Sequence, residues 1–147
     1  MSELRFLSWL DSAAQIRSGD LSPVDYTRTM LECIDSYDKN LDAFLLVTAD
    51  TALTEARAAE QRIARGEARG PLEGIPFAIK DIIDADGLPT TAHSKILMSN
   101  IAKTDATVTT RLRAAGGILL GKLSTHEFAI GGPCFDLPWP PARNPWN

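Results

Sequence analysis

Apolar positions recur along the first third of the chain at helical spacing. Leu4, Leu7, Leu10, Ala14 and Ile16 form a loose stripe that predicts a first helix ending near Gly19. A second helix starts more sharply. Ser22 has the side chain of an N-cap, Pro23 suits the first helical position, and Asp25 stands where a capping-box acid would. Tyr26, Met30, Cys33, Ile34 and Tyr37 then fall at i, i+4, i+7, i+8 and i+11, on one helix face, so Cys33 is expected to pack in the core. Leu41 to Thr48 contains the continuous apolar run Ala43-Phe44-Leu45-Leu46-Val47, which reads as a buried strand, with a helix as the alternative. Asp50 or Thr51 caps a third helix running to about Arg65. Leu53, Ala56, Ala59 and Ile63 are its expected buried stripe, and Gly66 and Gly70-Pro71 stop it.

The pattern then changes character. Ile75-Pro76-Phe77-Ala78-Ile79-Lys80-Asp81-Ile82-Ile83 is apolar and β-prone, broken by one charged pair, and Pro76 fits the first residue of a strand. Asp86-Gly87 marks a turn, and a polar, mixed segment follows from Leu88 to Thr104. Thr104 or Asp105 caps a helix carrying Val108, Leu112 and Ala115, closed by Gly116-Gly117. Ile118-Leu119-Leu120-Gly121-Lys122 is a second buried-strand candidate. Strand, long connection, helix and strand make a unit suited to two parallel strands joined by a crossover. Ser124 and Glu127 predict a capping box opening a short helix. Beyond Gly131-Gly132-Pro133 comes a segment with four prolines between Pro138 and Pro145 and two tryptophans, Trp139 and Trp146. Tryptophan usually packs against something, so this segment is expected to be a loop in which the chain is cut and whose partner residues are missing from the sequence.

Composition narrows the class. Of 147 residues, 44% are hydrophobic and 23% charged, which argues against disorder and for one modest globular core. The net charge is −4 with both signs mixed, so nucleic acid is not an implied partner. Two distant cysteines, Cys33 and Cys134, without a Cys-x-x-Cys or His/Cys cluster, give no reason to expect a zinc site, another metal or a cofactor. Reduced thiols in a cytoplasm are expected. Met1 to Leu10 lacks the basic and apolar regions of a signal peptide, and no apolar stretch approaches the ~20 residues of a membrane span.

Lys80 is the most informative residue for chemistry. It interrupts an apolar strand, where a charge is costly to bury. Ile75, Phe77 and Ile79 share one face of that strand, and Ala78 and Lys80 the other. A lysine kept neutral by desolvation is a base. Two other readings stand beside it: a stem that snorkels its ammonium to water, or a pair with Asp81 or Asp84.

The words around Lys80 resemble the amidase signature family. Gly74-Ile75-Pro76-Phe77-Ala78-Ile79-Lys80-Asp81 is similar to that family's Gly-[IV]-Pro-x-x-x-Lys-[DE] segment, and Thr90-Thr91 with Ser94 to its Thr-Thr-x-Gly-Ser stretch. Asp105-Ala106-Thr107-Val108 with Leu112 to Gly116, then Gly121-Lys122 and Glu127-Phe128-Ala129, resemble the helix, strand and turn that follow. Arg143-Asn144-Pro145-Trp146 resembles the words just upstream of the family's Gly-Gly-Ser-Ser-Gly-Gly core. These words run in family order over about residues 71 to 147, while residues 1 to 70 fit a helical N-terminal section.

The resemblance implies an α/β fold, a mixed sheet flanked by helices of which this is the N-terminal portion. It implies amide hydrolysis by a Ser–cis-Ser–Lys triad with Lys80 as the base. Both serines are expected beyond Asn147, since no Gly-Gly-Ser-Ser-Gly-Gly occurs in the sequence. The chain alone is therefore expected to be inactive. Phe128, Ala129, Ile130, Gly131, Gly132 and Cys134 are the expected substrate-lining residues. A Cys134–His126 nucleophile pair is the rival chemistry. His93 stands where the family usually has glycine, which puts a tight turn there in doubt and reads His93 as a surface residue. Pro133-Cys134-Phe135-Asp136-Leu137-Pro138-Trp139 departs from the Ser-Thr-Glu-Asn common in subunits that amidate misacylated tRNA. That leans toward a small amide or urea-like substrate. The A subunit of a tRNA-dependent amidotransferase, and a non-catalytic truncated product or interaction module, are the alternatives. A sheet cut after its first strands also predicts self-association through an unpaired edge.

Overall fold

The computed structural model describes residues 3–146; Met1 and Asn147 lie outside the described residues, as does position 2. Four α-helices and three strands follow in the order α1 (Trp9–Ser18), α2 (Pro23–Leu41), β1 (Phe44–Val47), α3 (Ala49–Ala64), β2 (Pro76–Lys80), α4 (Thr107–Ala114) and β3 (Ile118–Leu123), with short 3-10 turns at Glu3–Phe6, Lys95–Leu97 and Glu127–Ala129. The sheet order is β1-β3-β2, mixed in direction. β1 runs antiparallel to β3. Between β2 and β3, Ile118 N–H bonds to Ile75 O at one end and Asp81 N–H to Leu123 O at the other, the start-to-start pairing of parallel strands. None of the described helices is long and apolar enough to cross a membrane.

The helix signals act as their chemistry dictates. Ser22 Oγ accepts the N–H groups of Val24 (3.1 Å) and Asp25 (3.3 Å), capping α2. Asp25 does not close a capping box but pairs with Arg28 at 2.6 Å on the exposed face. Ser8, which the apolar stripe passes over, caps α1 by accepting Asp11 N–H at 3.1 Å, and Gly19 closes that helix at φ +84°. On α3 the buried stripe is Ala52, Ala56 and Ala59, with Leu53 and Ile63 half-buried. On α4 the apolar reading is rotated. Val108 is exposed and Thr109 is buried, its hydroxyl donating to Asp84 O at 2.7 Å. A threonine can do both, because its methyl packs while its hydroxyl satisfies an acceptor.

The chain divides into two compact units, and neither is a single stretch of sequence. The first comprises residues 1–36, 48–77 and 111–120. Its core is apolar: Ala13, Ile16, Leu21, Tyr26 and Ile75, with Leu4, Leu7, Met30, Ile63 and Leu72 packed against it. It also holds a part-buried ion pair. Arg62 donates Nε (3.1 Å) and Nη2 (2.6 Å) to Glu73 Oε1, and Arg69 N–H takes Oε2 at 2.6 Å.

The second unit, residues 37–47, 78–110 and 121–147, is built differently. Its buried set includes Ile79, Ala85, Ala92 and Ala102, but also Asp81, Thr90, Thr91, His93, Ser94 and Lys122. The polar segment Leu88–Thr104, read from sequence as a connection, therefore supplies much of this interior. Its own chain folds back on itself through an isolated Pro89–Ile101 bridge.

Candidate active site

Lys80 ends β2 and is exposed. Its neighbours on either side are not: Ile79 is 4% and Asp81 1% exposed. The apolar surround expected for the Lys80 amine is absent among the described residues. Asp81, read from sequence as a partner for Lys80, pairs instead with Lys122, which is wholly buried.

That pair is the centre of the second unit. Lys122 Nζ has three donors and three acceptors within reach: Asp81 Oδ1 at 2.9 Å, Pro89 O at 2.6 Å and Thr90 Oγ1 at 3.0 Å. Asp81 Oδ2 accepts both the N–H (2.9 Å) and the hydroxyl of Thr91. Its main chain is equally occupied, N–H to Leu123 O and O from Ala92 N–H, both 2.9 Å. Lys122 is not among the residues expected at the site, although it carries the same sequence signal as Lys80. Each interrupts an apolar strand, and the buried one proves to be the lysine with the closer partners.

Backbone bonds carry the arrangement onward. Ala92 O accepts Phe128 N–H at 2.9 Å, so the chain Asp81–Ala92–Phe128 connects the end of β2 to the Glu127–Ala129 turn. Ala92, His93, Phe128 and Ala129 all have positive φ, between +49° and +59°. Such residues cost about 1–2 kcal/mol each and cluster where a site over-determines the backbone. Of the expected substrate-lining residues, Phe128 is tied into this chain, and Ala129 N–H bonds locally to His126 O at 2.7 Å. Ile130, Gly131 and Gly132 follow in exposed loop, and Cys134 is half-buried.

The capping box expected at Ser124 and Glu127 does not form. His126 precedes the turn, and Phe128 at φ +51° breaks its helical geometry. Both side chains turn to the 93–94 segment instead. Glu127 Oε1 accepts Ser94 Oγ at 2.7 Å, and Ser124 Oγ lies 3.4 Å from His93 Nδ1. The expected exposure of His93 is overturned as well: it is 1% exposed, at φ +57°. Its Nε2 meets Trp139 O at 3.0 Å, and its ring stands edge-on to the Trp139 indole at 5.6 Å. Trp139 thus has the partner its type calls for, while Trp146 is 92% exposed.

His93→Gly sets two effects against each other. Relief of left-handed backbone returns about 1–2 kcal/mol. Losing a buried ring of this size, with its hydrogen bonds, costs roughly 3–5 kcal/mol. The variant is expected to be less stable by roughly 1–4 kcal/mol on those two terms, checked by urea denaturation; a gain in stability would show that the ring does not hold Trp139.

A family model described as Amidase matches residues 25–147. The glutamyl-tRNA(Gln) amidotransferase A subunit of Streptomyces coelicolor is 44% identical over 147 residues, which is 100% of this chain and 30% of that protein. Among solved structures, one described as a vestigial protein complex revealing the evolutionary origins of an s-triazine catabolic enzyme superposes with a TM-score of 0.90 at 37% identity, covering 96% of this chain and 31% of its own. The native peptide amidase of Stenotrophomonas maltophilia superposes with a TM-score of 0.76 at 34% identity, covering 82% of this chain and 25% of its own. The chain spans about 30% of the length of the curated relative it matches end to end.

Proposed function

The chain belongs to the amidase family, and we propose that it forms part of an enzyme that hydrolyses an amide C–N bond with Lys80 as the base. The observation carrying this reading is the position of Lys80. It is an exposed amine held between two buried residues at the end of β2, one hydrogen-bonded chain away from the Phe128 turn. The lysine accepts the proton of a serine hydroxyl, which takes the proton of the nucleophilic serine as its oxygen attacks the amide carbonyl carbon. Collapse of the tetrahedral intermediate breaks the C–N bond, the nitrogen leaves with a proton returned through the same relay, and water cleaves the acyl ester. Backbone N–H groups beside the nucleophile stabilise the oxyanion. Both serines belong to the family's Gly/Ser-rich segment, which the 147 residues do not contain. Phe128, Ala129, Ile130, Gly131, Gly132 and Cys134 line the substrate, a small amide or urea-like compound.

Ammonia release from a panel of simple amides tests this. The extended enzyme, carrying the Gly-Gly-Ser-Ser-Gly-Gly segment and the rest of the family's length, of which this chain is about 30%, should turn over, and Lys80→Ala should lower kcat roughly 10²–10⁴-fold, the span of general-base contributions. The 147-residue chain should stay at background. Turnover by that chain, lost on Lys80→Ala, would place the nucleophile within it and overturn the assignment of the serines.

A second reading has its own support in the 44% identity to an amidotransferase A subunit. In that case the released nitrogen is delivered to glutamyl-tRNA in a complex with partner proteins. Amidation of glutamyl-tRNA only in the presence of such partners favours it; free ammonia from simple amides by the single extended chain favours the first.

A further inference from the structure

We infer that Thr91, acting through Asp81 and Lys122, is the positioning element that sets Lys80 against the Phe128 turn. The inference rests on the reading of Lys80 as the base. Among the described residues, Lys80 makes no side-chain bond that would orient it; its position is set by its backbone, which ends β2, accepts Ile83 N–H at 2.9 Å and runs directly into Asp81. Every polar group of Asp81 is occupied, by Lys122, by Thr91 twice, by Leu123 and by Ala92. A buried carboxylate so surrounded has one position.

Thr91 is where this carboxylate meets the turn. Its N–H and hydroxyl both donate to Asp81 Oδ2, and its Oγ1 accepts His93 N–H at 3.1 Å. Its carbonyl takes Ser94 N–H at 2.9 Å. Thr91 thereby holds Ala92 and His93 in their left-handed conformation, and Ala92 O carries Phe128. One hydroxyl therefore joins the strand that bears the base to the turn expected to line the substrate. A network needed only for stability would not have to connect these two. Residue 91 lies outside the catalytic and lining sets, so its removal reads the connection and not the chemistry.

The test uses the extended enzyme with a simple amide, at a temperature well below every variant's melting midpoint, with rates expressed per folded molecule. Thr91→Val keeps the shape and removes the hydroxyl. It should lower kcat by roughly 10–100-fold, the scale of an ångström-sized misplacement of a reacting group, with KM little changed. Thr91→Ser should restore kcat. A brace that served only the fold would lower the melting midpoint and leave kcat per folded molecule at the parent value, and that result overturns the inference. If Lys80→Ala retains full activity, the reading of Lys80 as base fails and this inference fails with it. If Lys80→Ala is inactive while Thr91→Val is fully active, only the positioning role fails. Should Thr91→Val not fold, Asp81→Asn is read in the same way, since it keeps the shape and an acceptor for Thr91 while weakening the hold of Lys122.

Discussion

Gly121→Ala is expected to abolish cooperative folding of the 147-residue chain, or to lower its stability by more than the roughly 1–3 kcal/mol usual for overpacked cores. A Cβ on Gly121 would lie 2.0 Å from the Leu46 carbonyl oxygen and 3.1 Å from Val47 Cα. The obstructing atoms are main chain, so no rotamer change can relieve them. β1 is bulged at this point: Phe44 pairs with Leu123 and Leu46 with Lys122, leaving Leu45 as the extra residue. The bulge brings the two backbones together, and glycine is what permits the approach. Moving Leu46 away would break the Leu46–Lys122 and Val47–Gly121 pairs on both sides. Thermal and urea unfolding followed by circular dichroism check this. Gly132→Ala, with nothing within 4 Å of its would-be Cβ, is the control and should melt as the parent does. Equal midpoints for the two variants would refute the close approach.

Lys122→Met is expected to cost about 3–5 kcal/mol, the range for removing one partner of a buried ion pair. The cost is not the Coulomb energy of the pair. It comes from leaving Asp81, 1% exposed, with an uncompensated carboxylate, and from stranding Pro89 O and Thr90 Oγ1 without their donor. The contrast within the same chain is Arg28–Asp25, whose side chains are 52% and 63% exposed and whose kind of pair contributes about 0–1 kcal/mol. A double-mutant cycle separates these terms. Asp81→Asn combined with Lys122→Met removes the charge that the single variant strands. The double variant should cost less than the sum of the two single variants, by an interaction energy of about 0.5–3 kcal/mol. Strict additivity in denaturant titrations would show that the two groups do not interact.

The helical first third is legible in the sequence because its stability comes from apolar stripes and caps, which are local. Ser22-Pro23 starts α2 as its chemistry requires, and the run Ala43–Val47 yields β1. The parallel β2–β3 pair follows from two apolar runs separated by a helix. The misreadings share a cause. Helical period places Val108 inside and passes over Thr109, spacing matches Ser124 and Glu127 to a local capping box, and loop context puts His93 on the surface. In each case a polar group satisfies a partner distant in sequence: Asp84 for Thr109, His93 for Ser124, Ser94 for Glu127, Trp139 for His93. Period and propensity carry no information about such partners.

Lys80 shows the same division at the site itself. Its identification comes from a row of family words, Gly74 to Asp81, and its strand-end position from the apolar run. Which lysine is buried is a separate question, and the sequence offers two charged interruptions of equal standing. By itself the sequence determined the family, the elements and the strand that carries the base, because hydrophobic period, caps and motif words are written in neighbouring residues. Only the tertiary structure decided that Asp81 takes Lys122 and leaves Lys80 exposed, and that a polar segment forms the interior of the second unit. A buried charge is stable only where several acceptors converge, and that convergence brings together residues up to 41 positions apart, Asp81 and Lys122, through the pairing of β2 with β3.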